Sequence, residues 1–213
     1  MVRHVRRPLP SGCAVRPVIC HPAPLLRSLI LTAASSGARA LRIVRGKFTG
    51  RDLTSPRDFR VRPTAEHVRG ALLDALNAQM AGARVLDLFA GTGALGLEAI
   101  SRGARSADFV ETRPSSLHAL RANIALLRVR DRVRVFKRDA IPFAAGLAPD
   151  IYDIAFADPP YASRMLDLVI ERWEQVRFSR ILAVEHARAH ELPPTAWRLD
   201  FDETAISIYG RDR

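Results

Sequence analysis

The feature that most constrains the fold of this chain is an alternation of short apolar runs with amphipathic helical patterns between residues 85 and 184. The apolar runs predict strands, and the segments between them carry apolar residues at helical spacing. The predicted strands are 85–89, 107–110, 133–136, 151–157 and 181–184, and the predicted helices are 95–101, 115–127, 140–145 and 163–172. Short buried strands that are separated by helices indicate a parallel sheet covered on both faces.

The last two predicted strands, 197–201 and 204–209, form an antiparallel hairpin. Only Asp202 and Glu203 separate them, which is too short for a crossover helix. The expected architecture is therefore a Rossmann-like α/β fold with a mostly parallel seven-stranded sheet, an antiparallel C-terminal hairpin and helices on both faces. In such sheets a ligand binds at the carboxyl ends of the strands, near the point where the strand order reverses.

A small N-terminal β-hairpin is predicted within residues 41–61, where two short apolar segments flank a glycine-containing turn. A helix follows, for which Thr64 is the expected N-cap, and it ends before Gly82. We expect residues 41–213 to form one domain that includes this hairpin.

Residues 1–40 differ from the rest of the chain in composition. They hold six arginines, five prolines and no acidic residue. Prolines at this density interrupt helices and strands, so a disordered basic extension is expected. An upstream segment assigned to the chain in error, an RNA-binding arm and a targeting peptide all fit this composition.

The charge of the chain indicates a polyanionic partner, because 33 Lys and Arg residues against 22 Asp and Glu residues give a formal net charge of +11 at pH 7. Both cysteines, Cys13 and Cys20, lie in the extension, so residues 41–213 contain no disulfide and no thiolate metal site. A reducing, cytoplasmic location is the simplest fit. No apolar run approaches the ~18 residues that cross a bilayer, and we expect a monomer that uses neither membrane nor metal.

A glycine-containing turn joins the first parallel strand to its helix. Asp87 lies in that strand, while Gly91 and Gly93 lie in the turn, where glycine lets the backbone approach a ligand beside the free N–H groups of a helix. Glu111 follows the second strand, where Rossmann folds place an acid that binds ribose hydroxyls. Asp139 follows the third strand and fits either a ligand contact or a helix N-cap. A tight turn that binds no ligand has the same glycine pattern.

The sharpest pattern is Asp158-Pro159-Pro160-Tyr161, which follows an apolar strand directly. Two consecutive prolines fix the backbone in an extended form and remove two N–H donors, so the carbonyls and the Asp158 carboxylate form a rigid cluster of acceptors. Such a cluster suits an amino group, and the Tyr161 ring supplies a face on which a nucleobase stacks. A proline-stiffened loop without a ligand is the structural alternative.

The order of these residues along the chain resembles that of the class I S-adenosylmethionine-dependent methyltransferases that modify exocyclic amines. The residues are Asp87, Gly91, Gly93, Glu111, Asp139 and Asp158 through Tyr161. The chain is most similar to the RsmD-type small-subunit (16S) rRNA guanine-N2 methyltransferases of bacteria. The resemblance covers about residues 41–211 and includes Arg62-Pro63-Thr64 ahead of the glycine turn, which is more particular than Asp-Pro-Pro-Tyr alone. The extension and Glu203, which stands where a glycine is frequent, depart from the family pattern.

The resemblance implies S-adenosylmethionine as cofactor and 16S rRNA or the small ribosomal subunit as partner, and it implies no metal. The target amine would be bound by the implied catalytic residues, Asp158, Pro159, Pro160 and Tyr161. The implied cofactor-binding residues are Arg62, Pro63, Thr64, Asp87, Phe89, Ala90, Gly91, Thr92, Gly93, Glu111, Asp139, Ala140 and Asp158.

Other functions fit the same residues less well. A DNA adenine or cytosine amino-methyltransferase shares the acceptor loop but normally carries a sizeable target-recognition segment. A non-catalytic RNA-binding protein would need the acceptor loop to be incidental, and a dehydrogenase would need a hydride-transfer site that the sequence does not offer.

Two further clusters contain residue types that are found in binding sites. His186 and His190 have helical spacing but follow a strand and have no third ligand nearby, so a metal site is not expected. The run of alternating arginines from Arg128 to Arg134 fits a phosphate-binding edge, although such a pattern is more typical of a solvated surface.

Overall fold

The alternating pattern folds as a layered α/β structure in a computed structural model, which describes residues 41–56, 66–160, 164–195 and 197–210. In chain order the elements are β1 (Leu41–Arg42), β2 (Asp52–Leu53), α1 (Glu66–Ala75), α2 (Asn77–Met80), β3 (Arg84–Leu88), α3 (Ala94–Ser101), β4 (Ser106–Val110), α4 (Pro114–Leu127), β5 (Val133–Phe136), α5 (Ala140–Ala145), β6 (Tyr152–Ala157), α6 (Met165–Val176), β7 (Ser179–Ala187), β8 (Trp197–Asp200) and β9 (Thr204–Gly210). A single 3-10 turn, Arg130–Arg132, precedes β5.

Seven of the described strands form the main sheet, in the order β5-β4-β3-β6-β7-β9-β8. The first five of these strands are parallel, and β9 pairs antiparallel with both β7 and β8. The chain moves outward from β3 through β4 to β5 and then returns to β6 on the other side of β3. This reversal places a crevice at the carboxyl ends of β3 and β6, and it confirms the predicted sheet with its C-terminal hairpin.

Side chains along the strands alternate between two hydrophobic clusters, one on each face of the sheet. Val85 and Ile154 belong to the cluster that includes residues of α1, α3 and α4. Leu86 and Ala155 belong to the other cluster, which includes residues of α5 and α6. Helices therefore cover both faces, as the apolar strands predicted.

The predicted N-terminal hairpin is present, with Leu41 opposite Leu53, but its paired strands are shorter than expected. The turn bonds to the end of α3 instead of extending the ladder: the Lys47 N–H donates to the Ser101 carbonyl at 2.8 Å, and Ser101 Oγ donates to the Arg45 carbonyl at 2.7 Å. Gly46 has φ +90°, and a Cβ at this position would lie 2.1 Å from the Ser101 carbonyl oxygen. Only glycine fits so close an approach.

A buried ion network ties the hairpin to α3. The Arg69 Nε donates to Glu98 Oε2 at 3.0 Å, and both side chains are fully buried. Arg69 also donates to the Arg42 carbonyl, while the Val44 N–H donates to Glu98 Oε2 at 3.3 Å. Glu98 Oε1 accepts from Arg102 Nη2 at 2.7 Å. The hairpin is thus held by side chains of the main domain as well as by its own strands.

Several expectations concern residues that the structure does not describe. Residues 1–40 and the expected N-cap Thr64 lie outside the described ranges, so the disordered extension and the domain boundary at residue 41 stay predictions. No helix in the described ranges combines the length and apolar character that crossing a membrane requires.

Candidate active site

A cavity of about 480 Å³ opens at the carboxyl ends of β3, β4 and β6. It brings together most of the predicted site residues that the structure describes. From that set the wall contains Asp87, Phe89, Ala90, Gly91, Thr92, Glu111, Asp139, Ala140, Asp158, Pro159 and Pro160. Residues that are distant in the sequence thus converge on one site, as the parallel sheet requires.

The turn after β3 has an unusual backbone. Phe89, Gly91 and Gly93 all have positive φ, with values of 64°, 56° and 79°. Gly91 lines the cavity, and a Cβ there would meet no atom closer than the Phe89 carbonyl oxygen at 3.9 Å. Gly93 lies behind the cavity wall at the N-cap of α3, where a Cβ would lie 2.4 Å from Leu120 Cδ1. The two predicted glycines therefore differ: Gly91 borders the ligand space and Gly93 permits packing.

Glu111 joins the second strand to this turn. Its Oε2 accepts the Gly91 N–H at 2.9 Å, and its Oε1 accepts the N–H groups of Thr112 and Arg113, each at 2.8 Å. Glu111 is 5% exposed. Its carboxylate is therefore held in one orientation at the cavity wall.

Asp87 is buried beneath the same turn and accepts the Gly96 N–H at 3.0 Å. Burial is the main cause that raises the pKa of Asp87 to about 7; the Gly96 N–H opposes the shift, and the nearby carboxylates of Asp158 and Glu111 add to it. Gly96 itself is required by packing, since a Cβ would lie 2.4 Å from Phe109 Cε1. Three carboxylates therefore lie close together at this turn, and Arg113 pairs with one of them, Glu111, at 3.5 Å.

Asp139 is a helix N-cap, one of the two roles that its position allowed; the ligand contact stays a prediction. Its side chain caps α5 by accepting the Ile141 N–H at 2.9 Å. Asp139 and Ala140 also line the cavity. The same cap therefore fixes the cavity wall next to the end of β5.

The Asp158-Pro159-Pro160 segment leaves β6 directly and borders the cavity. Asp158 is half-buried, Pro159 is buried and Pro160 is exposed. Asp158 lies near enough to Asp87 to raise the pKa of its carboxyl group. The predicted residues Tyr161, Arg62, Pro63 and Thr64 lie outside the described residues.

Sequence reasoning missed Arg69 as part of this wall. Arg69 lines the cavity, and its Nη1 atom is buried and has no hydrogen-bond partner among the described residues. It lies between Val68 and Gly70 in α1. Because arginine is mostly exposed in folded proteins, the sequence did not indicate that this side chain is buried. Arg69 is thus one of three arginines in the described cavity wall, with Arg113 and Arg138, and its charge is paired with that of Glu98.

The described residues contain no group of three or more His, Cys, Asp or Glu side chains that could hold a metal ion. His186 bonds to Ser207 Oγ at 3.0 Å and to the Ala187 carbonyl at 2.9 Å, and burial lowers its pKa. His190 pairs with Asp167 at 2.9 Å. Both histidines therefore have structural partners.

Comparison with known proteins places this site in a family. The family described as Conserved hypothetical protein 95 matches residues 41–204. Ribosomal RNA small subunit methyltransferase D of Escherichia coli is 34% identical over 181 residues, which cover 83% of this chain and 90% of the relative. The chain belongs to the methyltransferase D family. The methyltransferase D family member of Buchnera aphidicola from Acyrthosiphon pisum is 29% identical over 161 residues, which cover 74% of this chain and 84% of the relative.

Structures agree with this membership. The solved structure of the Escherichia coli protein yhhF superposes with a TM-score of 0.71 at 30% identity, covering 82% of this chain and 99% of that chain. The RsmD-type resemblance and the class I methyltransferase fold are thus confirmed. The protein is an enzyme of the methyltransferase class, and the cavity at the carboxyl ends of its strands is its candidate active site.

Proposed function

We propose that this methyltransferase uses S-adenosylmethionine to methylate the exocyclic N2 amine of a guanine in small-subunit (16S) rRNA. The observation that carries the proposal is the meeting of Asp158-Pro159-Pro160 with the glycine turn and Glu111 in one cavity. One part of that wall suits a nucleoside-containing cofactor, and the other suits an amino group. The named activity of the methyltransferase D relatives supports the choice of rRNA.

The residues present fit S-adenosylmethionine. Glu111 offers a fixed carboxylate for ribose hydroxyls, and Gly91 leaves the space beside the turn free of side-chain atoms. Asp139 and Ala140 lie where the adenine would be bound, one strand further along the sheet. When bound, this cofactor supplies a methyl group on a positively charged sulfur. The acid cluster around Asp87 favours that charge.

The acceptor segment acts on the target amine. The lone pair of a guanine N2 is delocalised into the ring, so the nitrogen has to become tetrahedral and gain positive charge as it is methylated. The Asp158 carboxylate and the Pro160 carbonyl would accept its two N–H bonds and hold the nitrogen in one orientation. After transfer the extra proton would leave through the Asp158 carboxylate to solvent. The base has to leave its stack to reach the site, and Tyr161 would bind its face.

The test is to incubate the purified protein with S-adenosylmethionine carrying an isotopic methyl group and with unmodified 16S rRNA or reconstituted small subunits. The RNA is then digested to nucleosides, and labelled N2-methylguanosine is the expected product. Labelled N6-methyladenosine or N4-methylcytosine would overturn the proposed target.

A duplex DNA arm tests the strongest alternative. A DNA amino-methyltransferase would label DNA and leave the rRNA unlabelled, which would refute the proposal. An Asp158→Ala variant serves as the control for a contaminating enzyme. Labelling of the RNA by this protein should fall when Asp158 is removed, whereas labelling by a contaminant would persist.

A further inference from the structure

A second cavity, of about 640 Å³, lies between the N-terminal hairpin and the end of α4. We call it the basic groove. It is lined by Lys47, Phe48, Arg51, Leu126, Leu127, Arg128, Val129, Asp131 and Arg132. Four of these residues are cationic and one is acidic. The sequence showed the arginine run from Arg128 onward but not that the hairpin turn adds cations to it.

Three of the four cations of the basic groove are available to a ligand. Lys47, Arg51 and Arg128 are exposed, and within the described ranges none of the three is in an ion pair. Other arginines of the run are engaged: Arg134 pairs with Asp108, and Arg132 donates to the Arg105 carbonyl at 3.2 Å. Only part of the run therefore faces a ligand.

Both walls of the groove are held in place before any ligand binds. On the hairpin side, the N–H groups of Lys47 and Phe48 donate to Ser101, at 2.8 Å and 2.9 Å. On the helix side, Arg128 adopts a left-handed conformation with φ 55° at the C-cap of α4, and its N–H donates to the Ala125 carbonyl at 3.1 Å. Cations on a fixed backbone lose less conformational freedom on binding than cations on a mobile loop.

The groove and the candidate active site lie at opposite ends of the strands. Arg132 contacts the residues just before β4, whereas Val110 and Glu111 line the active-site cavity at the other end of β4. A strand advances about 3.3 Å per residue, so the five residues of β4 separate the two ends by about 13 Å. The hairpin reaches both, since Leu41 lines the active-site cavity and Lys47 lines the groove.

The chemistry of the groove fits a phosphate backbone better than a base. Guanidinium groups bind phosphate oxygens through paired N–H donors. Phe48 is half-buried and packs on the hydrophobic core, so its ring is not a free stacking platform. Given the proposed function, we propose that the basic groove binds the phosphodiester backbone of the substrate RNA at a second anchor, distant from the methylated base.

The experiment compares an Arg51→Gln/Arg128→Gln variant with a matched Arg180→Gln/Arg188→Gln control. The control pair is also exposed, removes the same charge and lines neither cavity. Affinity for a 16S rRNA transcript is measured from low to moderate salt for the wild type and both variants. The slope of log K against log salt is negative, and the loss of two phosphate contacts reduces its magnitude by about 1.4 for single-stranded RNA.

The expected result is that slope change in the groove variant alone, with a raised KM for RNA, a nearly unchanged kcat and unchanged S-adenosylhomocysteine affinity. Equal slopes in the groove and control variants would overturn the proposal. Weakened binding to assembled small subunits with an unchanged slope on naked RNA would also overturn it, because the partner would then be a protein. If the wild type neither bound nor methylated RNA, the proposed function would fail; if it did both and the groove variant matched the control, only the groove assignment would fail.

Discussion

The carboxylate of Glu111 accepts the backbone N–H of Gly91 at 2.9 Å, so the end of β4 and the turn after β3 are locked together at the active-site wall. Each oxygen of this carboxylate already has at least one N–H donor. Glu111 is thus oriented by the protein itself, which lowers the ordering cost of binding a ligand at this point.

We predict that Glu111→Ala weakens S-adenosylhomocysteine binding by about 1.5–3 kcal/mol, because a charged acceptor for hydroxyl groups is lost. That loss corresponds to about a 10- to 150-fold higher Kd, measurable by titration calorimetry. The rate at saturating cofactor should change little, since ribose contacts are similar in the ground and transition states. An unchanged Kd would show that Glu111 only braces the Gly91 turn.

For Asp158 we expect a substitution to change the rate and not the cofactor affinity. Asp158→Asn keeps the shape of the side chain but removes the charge that, in the proposed reaction, would stabilise the developing cation on the amine. We expect kcat to fall by about 10² to 10³, with S-adenosylhomocysteine affinity within a few-fold of the wild type. Single-turnover rates and calorimetry on the same preparation separate the two effects. A variant that keeps more than half of the activity would exclude Asp158 from the reacting site.

Asp87 should make stability depend on pH. Its pKa is about 7 in the folded protein, above its ordinary value of 3.8. Between these values the folded state holds a proton that the unfolded state has lost, so the free energy of unfolding falls as pH rises and levels off above about pH 7. One proton corresponds to a slope of about 1.4 kcal/mol per pH unit.

Urea denaturation of the wild type and Asp87→Asn at pH 5, 6, 7 and 8 tests this dependence. Asparagine does not titrate, so the variant should gain stability relative to the wild type as pH rises through this range. If the free energies of unfolding of the two proteins changed with pH in parallel, the pH dependence would arise from a group other than Asp87.

The sheet was predictable because its strands are apolar along their length and regularly spaced, and because Asp202 and Glu203 leave no room for a crossover. The active-site acids were predictable for a related reason: Asp87, Glu111 and Asp158 each sit in or directly after such a strand. Parallel strands bring their carboxyl ends to one edge, so chain position alone placed these side chains together.

The remaining features depend on contacts that no local pattern encodes. Arg69 lies beside apolar residues of α1, and its buried partner Glu98 comes from another helix. The basic groove joins Lys47 to Arg128, which are remote in the sequence and meet because Ser101 fastens the hairpin turn. Gly93 and Gly91 look alike in the sequence, but side chains remote from Gly93 in the chain, above all Leu120, pack against it, whereas Gly91 borders the cavity.

The buried Arg69–Glu98–Arg102 network leads to the last prediction. Glu98 is fully buried and is the shared counter-charge of two arginines whose side chains are at most 2% exposed. Glu98→Ala leaves both cations without that charge, and breaking a buried pair from one side costs about 3–5 kcal/mol. Asp52→Ala is the matched control, because the side chains of its pair are exposed, Asp52 by 58% and Arg42 by 52%, and such pairs contribute about 1 kcal/mol or less.

Urea unfolding of both variants should show this difference in the free energy of unfolding, while the dependence of that free energy on urea concentration stays as in the wild type. A loss below about 1 kcal/mol in Glu98→Ala would mean that water or rearranged side chains solvate the arginines, and that the buried network contributes little to holding the hairpin.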